Sequence, residues 1–153
     1  MSLLTGFLKS ELNAAGFQTQ DSTNILDTTL VVQVPIAGAE VVGYLQVDDD
    51  AVVVDFRLDI EIPYPCRSEL LRFVLLYNEG TTIGNLVINP GLEELGLHIG
   101  VSSKFYDLNS TNVIRILEAG ANCWIALLEY ALPVINGQST ADAEFNRLMN
   151  DIN

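Results

Sequence analysis

The spacing of apolar and polar residues along the chain predicts a helix, three strands, a second helix, two more strands and a long helix. Apolar residues three and four positions apart indicate the helices, at about residues 2–15, 66–79 and 110–133. Residues 18–24 are mostly polar and are predicted to form a loop. This order is typical of an α+β protein, and we expect an antiparallel five-stranded sheet with the helices packed on one face.

Four of the predicted strands have apolar residues at every second position, which is the period of a strand with one buried face, and the one at residues 86–88 is a short apolar run. The five predicted strands cover residues 30–36, 41–47, 52–62, 86–88 and 95–101. Tight turns at residues 37–39 and 48–50 join the first three strands, which predicts an antiparallel meander. In the third strand Asp55, Arg57 and Asp59 alternate with apolar residues, so one of its faces must lie in water.

The opposite faces of these three strands are not uniformly polar. Four apolar residues lie on them and face away from the predicted core, namely Val31, Val42, Tyr44 and Val53. On the fifth strand His98, the single histidine of the chain, also faces away from the core and lies between Gly96 and Gly100. A sheet with helices on one side would leave these residues exposed. The four apolar residues and His98 are therefore predicted to form an interface with a partner.

Two features of the last third of the chain predict how its helices pack. Gly120 lies in the middle of the long helix, where glycine costs about 1 kcal/mol relative to alanine, and this indicates a close approach to the sheet. After the predicted turn at residues 136–137, Ser139 and Asp142 have the spacing of a capping box. They predict an appended C-terminal helix within residues 138–153.

Composition and charge restrict the classes of partner. A chain of 153 residues predicts one domain, spanning 1–153. Its 20 acidic and 7 basic residues give a net charge of -13, which repels nucleic acid and anionic membranes and attracts a basic partner. Hydrophobic residues make up 49% of the chain, and this excess indicates apolar surface left over for a homodimer or a protein partner.

The expected compartment follows from two absent sequence patterns and from cysteine usage. The sequence has neither a secretion leader at its start nor a run of about 18 apolar residues, so a cytoplasmic protein is expected. Cys66 and Cys123 are far apart and form no CxxC motif. Free thiols are predicted, with a lone disulfide between them as the alternative.

No sequence motif carries chemistry. Phosphate-binding loops, dinucleotide fingerprints and serine-nucleophile elbows are all absent from the sequence. A surface or interface role is favoured for His98 over that of a catalytic base. The run Asp48-Asp49-Asp50 could bind a divalent cation, but a solvated hairpin turn is favoured because the alternation and closing glutamate of an EF-hand loop are missing. We therefore predict a non-enzymatic protein, with no catalytic, cofactor-binding or metal-binding residues.

Three stretches of the second half carry a family resemblance: SELLRFVLLYNEGTTIGNLVINP, LEELGLHIGVSS and STNVIRILEAGANCWIALLEYAL. Together with the order of elements, the size and the acidity, they resemble the type III secretion chaperone-like superfamily, and within it the YbjN-like group of small bacterial proteins. The resemblance implies a small acidic homodimer without catalytic activity, which holds an extended segment of a partner on helix and sheet surfaces. The appended helix departs from that pattern.

Three functions follow as hypotheses. The first is a chaperone-like or regulatory adaptor that dimerises and holds a segment of a partner protein. The second is a structural or regulatory dimer without a peptide client, in which the appended helix covers the surface that a partner would use. The third is a small-ligand-binding protein or enzyme with an apolar pocket between the sheet and the long helix.

Overall fold

The computed structural model describes residues 3–22, 29–36, 38–48, 50–82, 84–89, 91, 93–105 and 107–153. The helices of this part of the chain are α1 (Leu3–Ala14), α2 (Arg67–Gly80), α3 (Ser110–Ile135) and α4 (Ala141–Ile152). Its strands are β1 (Gln18–Asp21), β2 (Thr29–Ile36), β3 (Ala39–Val47), β4 (Ala51–Asp59), β5 (Asn85–Ile88) and β6 (Glu94–Ser102). A short 3-10 turn, Tyr64–Cys66, precedes α2.

The strands form an antiparallel sheet in the order β1-β2-β3-β4-β6-β5, so the predicted α+β class and the predicted meander are confirmed. The predicted count of five strands is wrong, because β1 lies in the segment expected to be a loop. Its sequence, QTQD, has no apolar alternation, and its side chains are mostly exposed. Backbone pairing with β2, in which Gln20 lies opposite Val31, forms the strand instead. Polar side chains are tolerated there because an edge strand is largely solvated.

Element boundaries differ from the pattern at three places. The third predicted strand was expected to reach residue 62, but β4 ends at Asp59. The long helix α3 continues past Pro133 to Ile135. At the start of α4 the helix cap is Thr140, whose hydroxyl accepts the Ala143 amide at 3.2 Å, so the capping box predicted at Ser139 is wrong by one position.

The chain forms two compact units, 1–56 with 98–122 and 57–97 with 123–153. The first unit contains α1, β1, β2, β3, most of β4, most of β6 and the first half of α3. Alternate residues of β2, β3 and β4 are buried as the strand period requires. Its core residues are Leu8, Leu12, Phe17, Leu30, Val32, Val34, Val41, Leu45, Val47, Val52, Val54, Phe56, Val113, Leu117 and Ala121.

The second unit contains α2, β5, α4, the last part of α3 and short parts of β4 and β6. Its core residues are Ile62, Leu70, Phe73, Tyr77, Leu86, Leu95, Leu97, Trp124, Leu127, Tyr130, Ala131, Val134, Ile135, Ala141 and Leu148. Helix α2 is buried on one side only. Leu70, Phe73 and Tyr77 are buried, whereas Leu71 and Leu75 lie on an exposed side. Both cysteines belong to this unit and carry free, half-buried thiols, as predicted.

Candidate functional site

The structure brings the five predicted interface residues onto one face of the sheet in the first unit. We call this surface the outer face and define it by Val31, Gln33, Val42, Tyr44, Gln46, Val53, Asp55 and His98. The strand registers place Val31 opposite Tyr44, Gln33 opposite Val42, Tyr44 opposite Asp55 and Gln46 opposite Val53. All eight side chains are half-buried, in contrast to the fully buried residues that alternate with them. The outer face is therefore a continuous surface with an apolar centre and a polar margin.

His98 makes a direct contact on this face. Its Nδ1 lies 2.7 Å from Oδ1 of Asp55, and 42% of the His98 side chain and 29% of the Asp55 side chain are exposed. A carboxylate only accepts hydrogen bonds, so the Nδ1–H of His98 donates to Asp55 in this contact. The contact fixes the orientation of the imidazole on the outer face.

The sequence pattern placed Asp55 on a wet strand face together with Arg57 and Asp59, and it did not reveal the contact between Asp55 and His98. The Asp55 carboxylate and the His98 imidazole meet because β4 has β6 as its neighbour in the sheet, and β5 lies on the far side of β6. Alternation alone predicts that both residues face away from the core, which is correct. The strand order was the missing information, because it depends on long-range pairing that the local pattern does not contain.

Carboxylates lie at both ends of the outer face. Glu40 lies at the β2–β3 end of β3 and is exposed. At the other end, Asp48 and Asp50 are exposed in the β3–β4 hairpin, and the Gln46 amide donates to Oδ2 of Asp48 at 3.2 Å. Asp49, the third residue of the predicted cation site, lies outside the described residues. No group of three or more metal-ligating side chains is found among the residues that the structure describes.

The opposite face of the sheet in the first unit, which we call the inner face, is tightly packed against α3. A Cβ atom at Gly120 would lie 2.7 Å from Cε2 of Phe56 and 2.9 Å from Cδ1 of Ile99. The close approach predicted from this glycine is therefore confirmed. At this point the helix and the sheet leave no room for a ligand, since even one methyl group would overlap with both side chains.

In the second unit, α4 is attached to α2 by polar contacts at its first turn. The Arg72 guanidinium donates to both carboxylate oxygens of Asp142, at 2.7 and 2.8 Å, and holds the pKa of that carboxyl below its usual range. The Ala141 amide donates to Oε2 of Glu69 at 2.8 Å. This bond satisfies one of the backbone donors that an isolated helix start leaves without a partner.

A second set of contacts joins α4 to the end of α3. Pro133 has no N–H, so the carbonyl of Glu129 loses its normal helical partner. Nη2 of Arg147 donates to that carbonyl at 3.1 Å. The same guanidinium lies 4.3 Å from the centroid of the Tyr130 ring, and the Tyr130 hydroxyl donates to Asp151 at 2.7 Å. These contacts explain how α3 continues through a proline.

Tyr77 is a buried titratable group of the second unit. Burial, with a smaller contribution from the neighbouring Cys123 thiol, raises the pKa of Tyr77 to about 12. Burial also raises the pKa of the Cys123 thiol, so this sulfur stays protonated and is a poor nucleophile at neutral pH. Neither group has the environment of an activated catalytic residue.

Substituting Tyr77 with phenylalanine will reduce the loss of unfolding free energy that the protein shows as the pH rises above 10. Its pKa is raised on folding, from 10.0 to about 12, so the unfolded chain ionises first and gains stability as the pH rises between these values. Over that range the native protein should lose about 2 kcal/mol that the Tyr77→Phe variant does not lose. Urea unfolding at pH 9, 10 and 11 measures the rising part of the difference, which should reach about 1 kcal/mol by pH 11. The matched control is Tyr64→Phe, at an exposed tyrosine of the same unit, and an equal effect there would contradict the assignment to Tyr77.

Comparisons of the chain with known proteins find no match among protein-family models, curated proteins or solved structures. Among the described residues, none of the helices is both long enough and apolar enough to span a membrane.

Proposed function

We propose that the chain is a non-enzymatic protein-binding module, chaperone-like or regulatory, which holds a segment of a partner protein on the outer face. The observation that carries this proposal is the outer face itself. Val31, Val42, Tyr44 and Val53 are half-exposed side by side on three adjacent strands, while the inner face of the same strands is fully buried. Half-exposed apolar clusters with a polar rim are typical of protein interaction sites.

Four further expectations belong to this proposal. All helices pack on one face of the sheet and leave the outer face open. The protein is a member of the type III secretion chaperone-like superfamily, it works in the cytoplasm, and it forms a homodimer. The acidic excess supports a partner of basic character, because 20 acidic residues face only 7 basic ones in the whole chain.

Replacing Val42 and Tyr44 with aspartate tests the proposal. The double variant puts two charges into the centre of the outer face, and we expect it to abolish capture of the partner, because an unpaired charge buried in an interface costs several kcal/mol. Wild type and variant are tagged and used for pull-downs from the native cell lysate at low and moderate salt, and the captured proteins are identified by mass spectrometry. The mass of each protein in solution is measured in parallel.

Two further variants make the result interpretable. Val42→Thr with Val53→Thr removes apolar contact area but retains the β-propensity of the strands, so it reports on binding if the aspartate variant unfolds. Ala119→Asp puts a charge on an exposed position of α3 and should capture the partner normally. Equal capture by wild type and both outer-face variants would refute the proposal. Recovery of a wild-type dimer without any partner would favour the structural or regulatory hypothesis.

A further inference from the structure

The outer face has its charges at the ends and its apolar residues in the middle. Along β3 the side chains of this face are Glu40, Val42, Tyr44 and Gln46, and Asp48 follows directly after the strand, where it accepts the Gln46 amide. From Glu40 to Asp48 the strand spans about 27 Å. Asp50 adds a second described carboxylate at the Asp48 end. Lys104 is the basic residue close to this end, because the amide of its neighbour Ser103 donates to the Asp50 carbonyl at 2.8 Å. At this end the two described carboxylates therefore outnumber the one basic residue.

The backbone hydrogen bonds of a bound segment decide which conformation it can adopt on the outer face. A sheet face presents side chains, so an extended segment lying on it would find no backbone partners for its own N–H and C=O groups. Extended segments bind at sheet edges instead. At the β5 edge the side-chain amide of Asn78 already bonds both backbone groups of Leu86, at 3.0 and 2.7 Å. At the β1 edge, Lys9 and Asp21 form an ion pair at 3.0 Å, and edge charges of this kind discourage strand addition. A helix satisfies its own backbone and suits the face.

Charge argues against a second copy of the chain as the occupant of this face. Two outer faces packed together would bring the Glu40 and Asp48 ends of one protomer against carboxylates of the other. The described part of the first unit has three basic residues: Lys9 is already paired with Asp21, Arg115 lies on α3, the helix packed on the inner face, and only Lys104 lies close to an end of the outer face. Juxtaposed like charges destabilise an association and select for partners of opposite sign.

We propose that the segment held on the outer face is a basic amphipathic α-helix of the partner protein, lying along β3. A span of about 27 Å corresponds to about 18 helical residues. Apolar residues at helical spacing would pack on Val31, Val42, Tyr44 and Val53, and lysine or arginine near each end would approach Glu40 and Asp48. This inference rests on the proposed function and names the chemistry of its partner.

Three synthetic 18-residue peptides test the inference on the full-length protein. The first has a leucine stripe at helical spacing with lysines near both ends, and the second has glutamates in place of the lysines. The third is the first peptide with its two central residues replaced by proline. We expect the lysine peptide to bind at least about tenfold more tightly than either of the others, because only it has both charge complementarity and a satisfied backbone. Fluorescence anisotropy measures the three dissociation constants, and raising the salt concentration should weaken the lysine peptide most.

Charge-neutralising variants locate the site. Glu40→Gln with Asp48→Asn and Asp50→Asn should weaken the lysine peptide about tenfold. The matched control, Glu11→Gln with Glu79→Gln and Glu118→Gln, removes the same charge from three helix positions and should leave binding unchanged. Equal binding of all three peptides, no binding of the lysine peptide, or equal losses in the two triple variants would each overturn the helix proposal. The pull-down with the outer-face variants is independent of this outcome. The proposed function fails if both outer-face variants capture the partner as wild type does, or if wild type captures no partner.

Discussion

Deleting residues 138–153 will destabilise the second unit strongly and will create no peptide-binding surface. The deletion removes the whole of α4, including Ala141 and Leu148, which are buried at 0% and 7% exposure. It also removes Phe145, whose ring lies against the end of α2 so closely that a Cβ at Gly80 would be 2.5 Å from Cζ. Truncating one buried leucine costs about 2–5 kcal/mol. Loss of the whole apolar side of α4 should therefore cost more than about 4 kcal/mol, a large part of the stability of a small protein.

The deletion separates two of the three functional hypotheses. A helix that merely covers a client groove must leave easily, so its contacts should be few and weak. The contacts of α4 are of the opposite kind, since Glu69 bonds its first turn and Arg147 supplies the carbonyl partner that Pro133 cannot. We therefore expect the truncated protein to show a lower urea midpoint, with binding of the lysine peptide neither gained nor strengthened.

A shorter truncation controls for the loss of the chain end. Removing only residues 152–153 takes away the exposed Ile152 and leaves the Tyr130–Asp151 hydrogen bond in place. This variant should unfold at nearly the wild-type urea concentration. A truncation at residue 137 that remained as stable as the short one, and that gained peptide binding, would show that α4 guards a groove. Size-exclusion chromatography shows in each case whether the truncated protein is still compact.

Local hydrophobic patterns in the sequence predicted most of the elements of this fold, and they also predicted which residues lie on the outer face. Alternation over residues 30–62 distinguishes buried from half-exposed positions correctly, because each strand has one core face and the period of a strand is fixed at two residues. For the same reason the five predicted interface residues lie on one side of the sheet. The β1 strand could not be predicted in this way, because an edge strand with polar side chains has no hydrophobic period.

Most polar contacts of the structure could not be predicted from the sequence. The His98–Asp55 pair joins residues 43 positions apart, and the Arg72–Asp142 pair joins residues 70 positions apart. Such pairs depend on which strands and helices become neighbours, and local propensity carries no information about that. Glycine was an exception. Gly120 in a helix has a local cost that a long-range contact must offset, so the sequence pointed to a tertiary contact without naming its partners.

Gly120→Ala is expected to lower the free energy of unfolding by about 1–3 kcal/mol, although alanine is the better helix former. Helix propensity alone predicts a gain of about 1 kcal/mol. The added methyl group, however, would lie 2.7 Å from Phe56 and 2.9 Å from Ile99. Phe56 is fully buried, so its ring has no free space to move into. The overlap must be relieved by moving α3 away from the sheet, which loses packing along the whole contact.

The sign of the Gly120→Ala effect is the decisive measurement, because the two contributions oppose each other. Ala119→Gly, at the exposed position of α3 immediately before Gly120, measures the propensity contribution without the packing contribution and should cost about 1 kcal/mol. A double variant, Gly120→Ala with Phe56→Leu, removes the ring edge that the new methyl group meets. If overlap with Phe56 is the cause, the alanine should cost less in the Phe56→Leu background than in wild type, by an interaction energy that a double-mutant cycle reports. If Gly120→Ala stabilised the protein instead, the helix would be able to shift away from the sheet at little cost, and the tight contact between α3 and the inner face would not be a determinant of the fold.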